Sequence, residues 1–178
     1  MTADNRGKRR ITALFDDRAN AERAYLACVD RGYEIGDVNI VMSEATRTVL
    51  LASESEVGTE MAQHKAEGGE LGGPKGGRIG ILVTISAAVG AALLVPALGI
   101  AAAGPIAASL TAAGAAGLAS GLIAALGDWG VPEDRVRHYE GGIRNGGILM
   151  MLETRSEEDA RHIEQQWQAL GARDLICS

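Results

Sequence analysis

The sequence predicts an α+β fold that is interrupted by a long apolar insertion. Each end of the chain has an extended apolar run, an amphipathic helix pattern, a glycine and a second extended run. Between them, the segment from Ile79 to Gly127 contains no Asp, Glu, Lys, Arg or His. Because a long apolar segment without charged side chains is poorly solvated by water, we expect it to be buried in protein or in a bilayer.

The N-terminal half begins with a strand over residues 11–15, and Asp16 and Asp17 follow as acceptors that can cap a helix start. Apolar residues then recur with the spacing of one helix face: Ala21, Ala24, Tyr25, Cys28 and Val29. Gly32 ends this helix, and residues 38–42 form a second strand. A short third extended run is expected over residues 48–52.

The C-terminal half repeats this plan. Residues 148–152 are continuously apolar, which predicts a buried central strand. Ser156 and Asp159 then have the spacing of a capping box, and Gly171 ends the helix that they begin. Two such halves predict a ferredoxin-like βαβ-βαβ sandwich with helices on one face of an antiparallel sheet. A further short helix, from Pro132 to about Asn145, precedes the second half.

The charge-free segment is rich in glycine and alanine, and its pattern predicts a helical hairpin. Its arms run over residues 79–95 and 106–126, and prolines and glycines between Pro96 and Pro105 predict the bend. A helix needs about 20 apolar residues to cross a bilayer. The second arm reaches that length and the first falls short of it.

Small residues at intervals of four dominate both arms and form a glycine-zipper pattern, which lets helix backbones approach closely. A second row, on a neighbouring face, contains Ala108, Ala112, Ala116, Ser120 and Ala124. The packing contacts are expected at six glycines: Gly76, Gly80, Gly90, Gly114, Gly117 and Gly121. This pattern is consistent with assembly within or on a membrane, and also with burial inside a soluble homo-oligomer.

The composition argues against several classes of function. The net charge of −6 is unlike that of a dedicated nucleic-acid binder. The histidines, His64, His138 and His162, are isolated, and neither a zinc-binding spacing nor a phosphate-loop motif occurs in the sequence. The two cysteines are far apart, which favours a reduced, cytosolic protein. We therefore predict a non-enzymatic protein without a cofactor or metal.

One stretch and its surroundings resemble a known family. Gly130-Val-Pro-Glu-Asp is followed by His-Tyr-Glu-Gly-Gly-Ile-Arg-Asn-Gly-Gly, an apolar strand and a helix that ends at Gly171-Ala172. With the apolar hairpin before it, this pattern resembles the bacterial general-stress-protein 17M-like family, also called heat-induced stress protein YflT-like, whose domain has no known function. The resemblance spans residues 10–177, and His138 stands where another aromatic is expected. It implies a ferredoxin-like core and expression under stress, and it implies no catalytic residue.

These observations divide the chain into a disordered basic tail (1–10), a discontinuous α+β domain (11–67 and 128–178), a glycine-rich hinge (68–78) and the hairpin (79–127). The favoured function is self-assembly through the hairpin, as a homo-oligomer in the cytoplasm or at the cytoplasmic face of the inner membrane, with lipid as the alternative partner. The competing hypothesis is a ligand-binding regulatory module that uses the open sheet face of the α+β domain.

Overall fold

The computed structural model describes residues 8–34, 36–52, 93–95, 99–113 and 118–178. Within these residues six strands form one antiparallel sheet in the order β3-β4-β2-β5-β1-β6. The strands are β1 (Arg10–Phe15), β2 (Val38–Ser43), β3 (Leu93–Val95), β4 (Ile100–Ala103), β5 (Ile148–Glu153) and β6 (Arg173–Cys177). The α+β class expected from the sequence is confirmed.

Helices connect the strands. They are α1 (Arg18–Asp30), α2 (residues 44–52), α3 (Ile106–Ala113), α4 (Leu118–Gly127), α5 (Glu133–Arg144) and α6 (Glu157–Ala169). The predicted caps are present: the Asp17 side chain accepts from the Asn20 N–H, and the Ser156 side chain accepts from the Asp159 N–H. These caps satisfy amide groups that the first turn of a helix otherwise leaves unpaired.

One face of the sheet is covered by α1, α2 and α6. Alternate residues of β1, β2, β4 and β5 point into this layer, among them Ile11 and Phe15 of β1 and Met150 of β5. The Trp167 ring of α6 is fully buried there, with its ring centroid 5.7 Å from that of Phe15 in an edge-to-face arrangement. This half of the core agrees with the apolar stripes that the sequence predicts.

The other face is covered as well, by α3, α4 and α5. The intervening strand residues, including Leu14, Leu149 and Met151, pack here against Leu110 and Leu122. The described residues therefore form three layers, with the sheet in the middle. The expectation of helices on one face only is wrong, because the C-terminal part of the apolar segment supplies two of the helices on the second face.

Two element assignments also differ from the sequence prediction. Residues 44–52 are helical rather than extended, and the Ser43 side chain accepts from the Thr46 N–H at 3.1 Å at the start of this helix. Residues 100–103, assigned to the bend, form a strand between β2 and β3, and residues 93–95 of the first arm form its neighbour. An apolar run that is buried on both faces of a sheet cannot be told from a buried helix by its periodicity.

Within the second predicted arm the structure describes two helical stretches, α3 (Ile106–Ala113) and α4 (Leu118–Gly127). Residues 79–92 of the first arm, the hinge at 68–78 and residues 1–7 of the basic tail lie outside the described residues. The tail prediction is wrong for residues 8–10. Arg10 belongs to β1, and Lys8, Arg9 and Arg10 pair with Glu153 or Glu157 at 3.2 to 3.7 Å.

Candidate functional site

The part of the apolar segment that the structure describes is joined to the sheet by backbone hydrogen bonds. Strand β4 pairs with β2 in the register Ile40↔Ala103 to Ser43↔Ile100. Residues 100–103 are almost fully buried, at no more than 8% exposure. This strand fixes the position of the chain from which α3 begins. Described residues on the two sides of the boundary predicted between residues 127 and 128 share a core, since Leu122 and Leu126 lie in the same cluster as Leu149.

The start of α3 is held by Asn39, a buried polar residue near the start of β2. Its Oδ1 accepts from the Ile106 N–H at 2.8 Å, and its Nδ2 donates to the Met151 carbonyl at 3.4 Å. Gly104 lies against it with φ of +87°, and a Cβ at this position would be 2.9 Å from Asn39 Oδ1. Only glycine suits this turn, since it combines a left-handed backbone with close approach to β2.

The inner sides of α3 and α4 carry the large apolar residues. Ile106, Leu110, Leu122 and Leu126 are each exposed by 1% or less, and they lie in the same cluster as Val41 of β2. Because these side chains are buried against the sheet, they determine which side of each helix is left to face outward.

The outer sides of α3 and α4 carry small, uncharged residues. Ala108 and Ala112 of α3 and Ala124 of α4 are exposed, and so are Ser109 and Thr111. We call Ala108, Ser109, Thr111, Ala112 and Ala124 the uncharged surface. Three residues of the row that recurs every four positions therefore face solvent.

Of the six glycines predicted as packing contacts, the structure describes one. Gly121 is buried in α4, on the side that faces the protein's own core. Gly76, Gly80, Gly90, Gly114 and Gly117 lie outside the described residues. A leucine at position 121 would disturb the core of the domain, so outward positions such as Ala112 are better probes of assembly.

On the opposite side of the molecule, a polar cluster links α1 to α6. The Asp159 carboxylate accepts from Arg31 Nε at 2.7 Å and from the Tyr33 hydroxyl at 3.0 Å, and the Arg155 guanidinium lies 4.2 Å from the Tyr33 ring centroid. Burial acts to raise the pKa of Asp159, but hydrogen bonds from Arg31 and Tyr33 and the charges of Arg31 and Arg155 outweigh it. The pKa therefore lies below its ordinary value. All of these groups are partnered, so the cluster is best explained as a structural link.

Among the residues that the structure describes, the two thiols, His138 and His162 show no arrangement typical of catalysis. Cys28 is fully buried, and its burial raises the pKa of the thiol to about 12. Nδ1 of His138 donates to the Asp134 carbonyl at 2.9 Å, and His162 is exposed on α6. Across the described ranges, groups of three or more His, Cys, Asp or Glu side chains that could hold a metal are absent.

The ligand-binding hypothesis assumed an open sheet face. In the described part of the chain both faces are covered, and the residues that would have lined an open face, such as Val41 and Leu149, are fully buried. Sequence reasoning missed the helices that cover this face. It also missed Asn39, although one amide within the apolar run Val38–Met42 was a signal that a buried partner had to exist.

No helix in the described ranges combines the length and the hydropathy needed to cross a membrane. Comparisons with protein-family models, with curated proteins and with solved structures found no match to this chain.

Proposed function

We propose that this chain is a non-enzymatic, stress-associated protein that assembles into a homo-oligomer through the uncharged surface of α3 and α4. The observation that carries the proposal is the exposure of Ala108, Ala112 and Ala124 on helices whose leucines Leu110, Leu122 and Leu126 are buried in the core of the same chain. Small side chains let a second helix approach closely, and packing then holds the pair together.

A second copy of the chain suits this surface better than a lipid bilayer does. Helices that lie in a membrane surface bury large side chains such as Trp, Phe and Leu among the lipids, with Lys and Arg beside them. The uncharged surface has only Ala, Ser and Thr, so it offers little apolar area to a bilayer. It also offers no charge that a second copy would have to desolvate, which favours contact between like surfaces.

The proposal also includes a ferredoxin-like core for the α+β domain. The part of the sheet with the order β2-β5-β1-β6 has α1 in the connection from β1 to β2 and α6 in the connection from β5 to β6. That is the order expected of two βαβ halves, with α2, β3, β4, α3, α4 and α5 as additions. Expression under stress rests on the resemblance of the segment from Gly130 to Gly147. A cytoplasmic location is supported by the two free cysteines, Cys28 and Cys177.

The proposal is tested by the mass of the full chain in sedimentation velocity. Ala112→Arg places a charge on the uncharged surface, and because Ala112 is exposed the monomer can accommodate it. We expect wild type to sediment as an oligomer and Ala112→Arg as a monomer with unchanged circular dichroism. The matched control is Gln165→Arg, an exposed position on α6 on the opposite face of the sheet, which should leave the oligomer intact.

Two results would overturn the proposal. One is a monomeric wild-type chain at every concentration measured. The other is an oligomer whose mass is the same in wild type, Ala112→Arg and Gln165→Arg.

A further inference from the structure

An open cleft of about 510 Å³ lies between α5 and the end of the sheet where β6 begins. Its volume is within the range of small-molecule sites, roughly 300–1,000 Å³. The lining residues are Leu14, Asp16, Arg137, His138, Gly141, Gly142, Asn145, Arg173 and Asp174. The cleft is separate from the uncharged surface, and none of the contacts described so far gives it a role.

The cleft is built by a bulge in β6. Between the pairs Thr12↔Ile176 and Leu14↔Arg173, β6 has one residue more than β1. Asp174 lies in this bulge with φ of 50°, a left-handed conformation that is uncommon for a residue other than glycine. Its carbonyl accepts from the Tyr139 hydroxyl, and its carboxylate pairs with Arg135 at 2.7 Å. Helix α5 thus holds the bulge in place, and bulges are found beside binding sites because they redirect side chains.

The floor of the cleft contains two adjacent glycines that differ in what they contact. A Cβ at Gly142 would lie 2.1 Å from Leu14 Cδ2, so the buried Leu14 side chain would have to move to admit any larger residue there. A Cβ at Gly141 would have nothing within 4 Å. Glycine inside a helix is less favourable than alanine, and a Cβ at Gly141 would meet nothing in the described structure that explains the choice of glycine. Bare helix backbone facing a cleft is suited to close approach by a ligand.

The side chains around this floor offer hydrogen-bond donors. Arg173 pairs with Asp16 at 2.5 Å and Arg137 pairs with Glu133 at 3.1 Å, and each guanidinium has further N–H groups. The Asn145 amide and the His138 ring also line the cleft. The two carboxylates that line it, those of Asp16 and Asp174, are each engaged by an arginine.

We propose that this cleft binds a small organic phosphate, with the phosphate oxygens at Arg137 and Arg173 and the uncharged part of the molecule over Gly141. Arginine suits this task because its planar group donates two parallel hydrogen bonds to a phosphate. The cleft thus adds a ligand site at the edge of the α+β domain to the assembly proposed above, and it does not depend on that assembly.

The test is a calorimetric titration of the full chain with phenyl phosphate, with inorganic phosphate as the second probe. Arg137→Gln removes one donor, and Gly141→Ala fills the open space above the helix. The matched control is Arg144→Gln. Arg144 is also exposed on α5 and also pairs with a glutamate four residues away, Glu140 at 2.8 Å, but it lies outside the cleft.

Wild type and Arg144→Gln are expected to bind phenyl phosphate with the same affinity, whereas Arg137→Gln and Gly141→Ala weaken binding by about tenfold or more, equivalent to about 1.4 kcal/mol. Gly141→Ala should weaken the binding of phenyl phosphate more than the binding of inorganic phosphate. A purely structural role for Gly141 predicts that the alanine variant is more stable and binds normally.

Three results would overturn the proposal: no saturable binding of either probe below about 10 mM, equal weakening by Arg137→Gln and Arg144→Gln, or unchanged binding in Gly141→Ala. Urea unfolding of each variant shows that it is folded during the titration.

Discussion

Asn39 is the residue on which the attachment of α3 to the sheet depends most. Its side chain is 1% exposed and bridges two parts of the chain that are distant in sequence, the Ile106 N–H and the Met151 carbonyl. The substitution Asn39→Ala removes both hydrogen bonds and leaves the Ile106 N–H, which is part of a buried helix start, without a partner.

The expected loss of stability follows from these two contacts. An unsatisfied buried donor costs about 1–3 kcal/mol. Loss of a side chain that caps a helix start costs about 0.5–2 kcal/mol. Both figures refer to the same Ile106 N–H group, so they are two estimates of one effect and are not added. The bond from Asn39 to the Met151 carbonyl is long, at 3.4 Å, and adds little. We therefore expect Asn39→Ala to lower the free energy of unfolding by about 2 kcal/mol, a large part of a typical total of roughly 5–15 kcal/mol.

The assay is urea unfolding of the full chain followed by circular dichroism, together with hydrogen exchange of the Ile106 amide. The control is Asn145→Ala, which removes the same side chain from an exposed position and should change the free energy of unfolding by no more than about 0.5 kcal/mol. The Ile106 amide should lose its protection in Asn39→Ala and keep it in Asn145→Ala.

Equal stabilities for Asn39→Ala and Asn145→Ala would refute the reasoning. So would a slow-exchanging Ile106 amide in Asn39→Ala, because that amide would then have a partner other than Asn39.

Two further predictions concern α6 and α5. The pKa of Asp159 lies below its ordinary value of 3.8. The contribution of this carboxylate to stability is therefore fully present above that value and is lost as the pH falls through the lowered pKa. The difference in free energy of unfolding between wild type and Asp159→Asn, measured by urea unfolding, should shrink below about pH 4. Gly142→Ala should destabilise the fold by about 1–3 kcal/mol through overlap with Leu14, whereas Gly141→Ala should stabilise it by about 0.5–1 kcal/mol. Urea unfolding measures both changes. Equal effects of the two substitutions would contradict the packing described for α5.

The elements at the two ends of the chain were predictable because each has a local signal. Asp17 and Ser156 mark the starts of α1 and α6, and their side chains accept the expected backbone hydrogen bonds. The pattern of α5 was equally clear, with Val136, Tyr139 and Ile143 buried on one face. Periodicity and capping act over a few residues, so one sequence is enough to reveal them.

The fold of the apolar segment was not predictable in the same way. Ile100–Ala103 contacts apolar neighbours on both faces, and such a run has no period that separates strand from helix. The alanine rows were visible, but which row faces outward is determined by the large residues Leu110, Leu122 and Leu126. The spacing of those leucines is the signal that would have placed Ala112 outside and Gly121 inside.

The cleft beside α5 depends on long-range geometry. The bulge at Asp174 arises from the pairing of β6 with β1, and nothing in the sequence near Asp174 marks it. The difference between Gly141 and Gly142 likewise depends on the position of Leu14, which is distant along the chain. A pair of glycines in a helix pattern predicts a weak helix but does not reveal which glycine packs against a strand.

Hydrogen exchange of the full chain, without and with anionic lipid vesicles, tests most directly whether α3 and α4 are part of the folded domain. If they pack on the sheet as described, the amides of Ala102 and Ile106 exchange within about tenfold of the Met150 amide in β5, and vesicles change none of these rates. Exchange of Ala102 and Ile106 at the rate of an unstructured chain would contradict this packing. Protection that arises only with vesicles would also contradict it, and would favour burial of the apolar segment in a membrane.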